Sequence, residues 1–238
     1  MVNFVYETWD VQKRIGEAKR LTACVVDHLQ YLLDIHENNA VVLYSATLSK
    51  QIPKSYAANA LNVFREAMHQ IEIVRICALW DNPTLDRESI LSVIELIDHP
   101  NVLETLADQA RGDLPKPAGD QRAAKALSGL KEAIKKAREA RTSSKLKSIR
   151  SLSDKHVAHY LTEKVEEAEN GPSPMKHGDE GPVIEASIAI VEALNSYVNG
   201  VGLSFGDCRT IDQKCATALW NACTFKIAGS EGATAREA

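Results

Sequence analysis

No CxxC pair occurs among the five cysteines Cys24, Cys77, Cys208, Cys215 and Cys223, and their odd number fits poorly with a disulfide framework. Cys24 and Cys77 sit inside apolar helical patterns and read as core thiols. No histidine lies among Cys208, Cys215 and Cys223, so a zinc cluster there lacks the usual ligand set. Long apolar runs are missing too: none approaches the roughly 18 to 20 residues that a membrane span requires. The opening Met-Val-Asn-Phe-Val-Tyr-Glu-Thr-Trp-Asp has no basic segment followed by an apolar one, so the expected setting is soluble and cytoplasmic. Gly-rich phosphate loops, Ser-His-Asp arrangements and HExxH are absent, and neither a metal nor an organic cofactor is expected. Internal repeats are absent as well. Aromatic residues make up only 5% of the chain, which is ordinary for a helical protein of this size.

What is present is helical periodicity. Asp10 precedes a pattern of Ile15, Ala18, Leu21, Val25, Leu29, Leu32 and Leu33 that predicts an amphipathic helix to about Glu37. Residues 40–48 start with β-branched side chains but have no second strand to pair with, so helix or irregular chain is expected. Pro53 introduces a second long helix, about 56–80. Its apolar residues cover more than half its girth, which predicts burial between other helices. The Asp81-Asn-Pro turn ends it. Two shorter helices follow, from Asp86 through Ile97 and from Pro100 to about Ala110. Residues 112–119 read as a linker, residues 170–182 as a mobile Gly- and Pro-rich loop, and 183–198 as a last long helix. A shorter helix over 211–225 precedes a tail, 229–238, with nothing to bury. Together these predict an all-α helical bundle with additional helices, a single domain over residues 1–228.

Charge is unevenly distributed. The whole chain carries −4, yet the segment from Gln121 to Lys155 holds eleven cations against three acids, a net +8. Such a run either solvates one face of a helix or contacts RNA phosphates. Thr142-Ser-Ser is the expected break inside it. Arg75, on the apolar second long helix, needs a partner because an unpaired buried charge is costly, and Asp81 is the candidate.

The basic run leads into Arg150-Ser-Leu-Ser-Asp-Lys-His-Val-Ala-His-Tyr160, eleven residues with two histidines, an arginine, a lysine, an aspartate and a tyrosine. On a continuous helix Arg150 and Asp154, Lys155 and His159, and His156 and Tyr160 each share a face. One reading gives this stretch chemistry. An imidazole that titrates near neutrality moves a proton, cations neutralise the charge growing on a phosphodiester, and an RNA 2′-hydroxyl serves as nucleophile without a metal. The other reading is structural, with His159 packed in the bundle, His156 at the surface, and Arg150 and Lys155 in ordinary exposed pairs.

Ser153-Asp-Lys-His-Val-Ala-His159 resembles the signature of the HEPN superfamily, particularly its abortive-infection (Abi) U-like branch, where an Arg-Asp/Asn-Lys triplet precedes Ala-His. Ile73 through Pro83, followed by Glu88 through Ile97, is similar to that branch as well. The resemblance implies an α-helical, commonly dimeric fold. In active members it implies a metal-independent endoribonuclease of toxin–antitoxin and anti-phage systems, with an antitoxin protein as a further expected partner. Carried over, His159 is the motif histidine, Asp154 the polar residue after the arginine, and Lys155 the following lysine. The arginine position itself falls on Ser153, which cannot supply a fixed positive charge. Either Arg150 reaches the same cleft from one turn earlier, or the fold has outlived the activity. Arg150 and His156 also satisfy an Arg-x5-His spacing. The residues expected at the site are therefore His159, Arg150, Asp154, Lys155 and His156, with a homodimer and RNA as expected partners.

Overall fold

A computed structural model describes residues 5–52, 54–84, 86–154, 175–176 and 178–227. Among them there are helices and connections but no strand, so the chain is all-α. A 3-10 turn (Val5–Thr8) is followed by α1 (Val11–Tyr44), α2 (Ala46–Gln51), α3 (Tyr56–Leu79), α4 (Ile90–Ile97), α5 (Pro100–Arg111), α6 (Ala118–Thr142), α7 (Ser144–Leu152), α8 (Glu180–Val198) and α9 (Phe205–Ala222). None of the helices is long and apolar enough to cross a membrane among the described residues.

Local chemistry explains most of the boundaries. The Asp10 carboxylate accepts the Lys13 amide at 2.8 Å and caps α1. That helix continues past Glu37 to Tyr44, where Ser45 stops it and, through its hydroxyl, caps α2 at the Leu48 amide. Residues 40–48 are thus helix with one serine break. Ser89 starts α4 later than Asp86 because its side chain accepts the Ser92 amide. Ser143 closes α6 and opens α7 at the expected break. The final helix starts at Phe205, six residues earlier than its apolar pattern indicated.

The chain divides into two compact units. The larger comprises residues 1–32 and 73–205, and the smaller residues 33–72 and 206–238. At the centre of the larger unit is α4, seven of whose eight residues are buried. A helix apolar on all sides can only be stable inside, and Ile90, Val93, Leu96 and Ile97 are completely enclosed. Each such side chain contributes about 1.5–3 kcal/mol relative to exposure. α6 packs along α5 and α8, and α7 lies against α8. Trp80, also fully enclosed, donates its indole N–H to the Ser187 hydroxyl at 2.9 Å.

The expectation that α3 is buried between neighbours needs correction. Only its end, at Ile73, Ile76 and Leu79, is buried, while Val63, Phe64, Ile71 and Val74 remain exposed. Apolar girth states which side chains favour burial; whether enough chain exists to cover them depends on the tertiary fold. Cys24 and Cys77 are likewise half-buried rather than central.

In the smaller unit, polar groups share the interior with Leu33, Val42 and Leu48. Glu72 is 2% exposed and accepts from His36 Nδ1 at 2.6 Å and from Asn39 Nδ2 at 2.5 Å. Arg209 donates to buried Glu37 at 2.7 Å, and Trp220 donates to Asn38 at 3.0 Å. Arg65 donates to the Val42 carbonyl.

Candidate functional site

The last turn of α7 carries Arg150 to the end of α3, where its guanidinium donates to the Trp80 carbonyl. A cation at an orphaned C-terminal carbonyl is favoured both by the hydrogen bond and by the negative end of the helix dipole. Two more arginines meet the same turn. Arg87 pairs with Asp81 at 2.6 Å, and Arg141 donates to the Asn82 side chain at 3.2 Å. Three guanidinium groups therefore gather on the consecutive residues Trp80, Asp81 and Asn82. The Ser89 hydroxyl braces the turn from within by donating to the Asp81 carbonyl at 3.0 Å. The Arg87–Asp81 pair is open to solvent and contributes little to stability.

Ser153 is buried and hydrogen-bonded to the half-buried Cys77. Burial pushes the Cys77 thiol up, opposed by the Ser153 hydrogen bond and the Arg150 charge and assisted by Asp154 and Asp81. A protonated thiol of that kind is a packing group and not a nucleophile. Asp154 is exposed one turn beyond Arg150. Arg150, Ser153 and Asp154 are thus brought to one place beside the Trp80 turn. Lys155, His156 and His159 lie outside the described residues, as do Tyr160 and residues 170–174 and 177 of the expected loop, whose last residues, from Glu180, are already helix.

Asp81 is not the partner of Arg75. The Arg75 guanidinium donates to His28 Nε2 at 2.8 Å and lies over the Tyr31 ring at 4.8 Å from its centroid. Because guanidinium only donates, Nε2 accepts, and the imidazole proton sits on Nδ1, a buried atom with no hydrogen-bond partner among the described residues. Burial, then the neighbouring Arg75 charge, lowers the His28 pKa and keeps the ring neutral. Nε2 is thereby committed to Arg75, and this neutral imidazole serves to position the guanidinium. Sequence reading missed His28, Arg87 and Arg141. The Trp-Asp-Asn-Pro turn was visible, but it was read as a helix stop rather than as a place where arginines converge.

The basic run lies mostly on exposed faces of α6 and α7. Several of its charges are partnered: Arg138 with Asp98, Lys145 with Asp179, and Lys136 with Glu132 at 4.0 Å. No group of three or more potential metal ligands occurs among the described residues.

An Arg75-bearing α3 that ends at the Trp-Asp turn, ahead of a short buried α4, is the arrangement that the HEPN resemblance implies. A family model for HEPN AbiU2 matches residues 17–217, most of the chain. The chain belongs to the HEPN AbiU2 family. Neither the search of curated proteins nor that of solved structures gave a match. Membership makes this an abortive-infection-associated HEPN protein and accounts for the Arg75-bearing α3, the Asp81 turn and the short α4 in that order.

Proposed function

We propose that this HEPN AbiU2 protein is a metal-independent endoribonuclease of a toxin or anti-phage system, working as a homodimer at the end of α7. The observation that carries the reading is the placement of Arg150. Only one of its five N–H donors is used by Trp80 among the described residues, and Asp154 stands exposed one turn on. His159 is the general acid/base, Arg150 and Lys155 hold the scissile phosphate, and Asp154 orients them, with His156 as a further candidate residue. The 2′-hydroxyl attacks phosphorus as His159 takes its proton. The P–O5′ bond breaks, the leaving 5′-oxygen takes a proton from solvent to leave a 2′,3′-cyclic phosphate, and His159 returns its proton to solvent. Arg150 supplies the fixed charge that Ser153 cannot.

The test is cleavage of total RNA by purified protein in EDTA at about pH 6 to 8, beside His159→Ala. Cleavage by the wild type alone supports the reading, and Arg150→Ala, checked for an intact fold by its circular dichroism, then loses most of it. Equal inertness of wild type and His159→Ala overturns it.

A second reading has its own support: Ser153, buried against Cys77, is engaged in packing at the position where the motif arginine belongs. In that case the protein is a helical module for dimerisation or for binding a partner such as an antitoxin. Inert protein that runs as a dimer in light scattering favours it.

A further inference from the structure

Within the larger unit, α1, α5, α6 and the end of α8 line an open groove of about 610 Å³. Three cations from two separate helices line it, Lys19 of α1 with Arg122 and Lys125 of α6, and no acidic residue does. Lys19 donates to the neutral Gln109 side chain at 3.1 Å, which holds the ammonium without cancelling its charge. Arg122 and Lys125 have no acidic partner among the described residues. The acids that flank the groove are engaged elsewhere, Asp120 and Asp108 with Arg111, and Glu17 with Arg20. Three like charges converging on one space repel each other, and the arrangement is relieved when an anion enters.

The fourth wall is rigid and amphipathic. Tyr197 packs so closely on α6 that a Cβ at Gly129 would lie 2.1 Å from its ring. The turn after α8 is closed by its own bonds, Asn195 Nδ2 to the Val201 carbonyl at 3.0 Å and the Val201 amide to the Asn195 carbonyl at 3.2 Å. Ser196 and Asn199 add a hydroxyl and an amide to the lining. The volume falls in the range of small-molecule sites, about 300–1,000 Å³. The groove is also distant from the Arg150 turn. Arg122 and Arg141 are nineteen residues apart on α6, a rise of about 28 Å.

We propose that this groove is a binding site for a small, multiply phosphorylated ligand, its phosphates held by Lys19, Arg122 and Lys125 and its body resting against Tyr197. The site stands apart from the motif and does not depend on the ribonuclease reading. Charge alone attracts any polyanion, but cations contributed by two helices to one groove favour a compact ligand over an extended strand.

Calorimetric titration of the full-length chain with inorganic triphosphate, with ATP and with a short single-stranded RNA tests it, at about 0.15 M salt to screen long-range attraction. Saturable one-site binding of triphosphate or ATP is expected, weakened at least about tenfold in the Arg122→Ala/Lys125→Ala double variant. A control double variant, Lys131→Ala/Lys135→Ala, removes equal charge from exposed positions of the same helix and should bind as the wild type does. Gly202→Trp fills the groove while leaving every charge in place, since a Cβ there meets nothing within 4 Å; it should also abolish binding. Equal losses in both double variants, or binding of RNA with neither triphosphate nor ATP, overturns the proposal.

Discussion

In the larger unit the enclosed side chains are mainly aliphatic and aromatic, and the buried acids Asp179 and Glu180 sit where α8 begins. There they accept the Lys176 and Gly178 backbone amides, and Asp179 also takes Lys145. In the smaller unit the buried acids Glu37 and Glu72 lie along helices and are met by side chains: Arg209, His36 and Asn39. Large apolar residues are left outside in that unit, among them Tyr44, Tyr56, Val63, Phe64, Ile211 and Leu219. The interior of one unit is mainly apolar packing, whereas that of the other also carries ionised and hydrogen-bonded pairs. The motif turn and the cationic groove both belong to the first, as sites that need fixed geometry should.

The largest effect that would test this contrast is at Trp80. Trp80→Ala empties the core of the larger unit and removes the bond to Ser187, at a cost of about 3–5 kcal/mol in urea unfolding. A loss under about 1 kcal/mol would mean that packing does not govern that unit. Glu72→Ala is the counterpart. It leaves His36 and Asn39 facing an apolar vacancy and should cost the smaller unit about 3 kcal/mol. Glu72→Gln, which keeps a hydrogen-bond acceptor, should recover part of this.

Gly129→Ala comes next. The added methyl group drives into the Tyr197 ring, and overpacking of this kind costs about 1–3 kcal/mol. Near-neutral behaviour would show that Tyr197 can move aside.

Acid should then separate the two units. Burial alone lowers the His36 pKa, but the Glu72 hydrogen bond and charge overcome it and leave the group raised. Its stabilisation is full below the ordinary histidine range and is lost as pH rises through the raised value. Asp212 is pushed up to about 6 by burial and by the neighbouring Asp34. A raised carboxyl destabilises the fold above that value and is relieved as pH falls through it. Both groups therefore make the smaller unit more stable between neutrality and about pH 5. In the larger unit Arg20 holds Glu88 low and Lys145 holds Asp179 low, so their contribution is lost only at more acid pH. Glu95, raised by burial, and His28, lowered by burial and by Arg75, are exceptions there. Amide hydrogen exchange at pH 7.5 and 5.5 should show protection rising in α9 and not in α4; parallel changes would break the contrast. The smallest effect is at Asp34→Asn, which should shrink that acid gain by less than about 1 kcal/mol.

These differences explain what could be read from the sequence. The Asp10 cap, the Asp81-Asn-Pro stop and the Thr142-Ser-Ser break are local hydrogen-bonding and steric signals, and each stands at its expected place. The all-α fold and the family were legible for the same reason, since periodicity and a short motif are local. The exposure of α3 was not, because it depends on what the rest of the chain can cover. The partner of Arg75 was hidden too: His28 lies 47 residues away in sequence and meets it only in the fold. The groove was invisible because Lys19 and Arg122 become neighbours through packing, although the basic run that supplies two of its cations was plain. Of the expected motif residues, Arg150 and Asp154 can be placed, and Lys155 and the two histidines fall beyond the described residues.

Ser143 has a further consequence. Its backbone N–H returns to Ala140 to finish α6 while its hydroxyl takes the Leu146 amide to begin α7, so a single residue serves both helices. Two gears keyed to one shaft cannot slip against each other. A single residue inserted at this joint would turn α7 by about 100° and swing Arg150 off the Trp80 carbonyl. Substitutions along α6 leave the timing untouched. Natural variation within the family should therefore be free in side chain on the exposed face of α6, yet constant in the number of residues between its buried stripe and the motif.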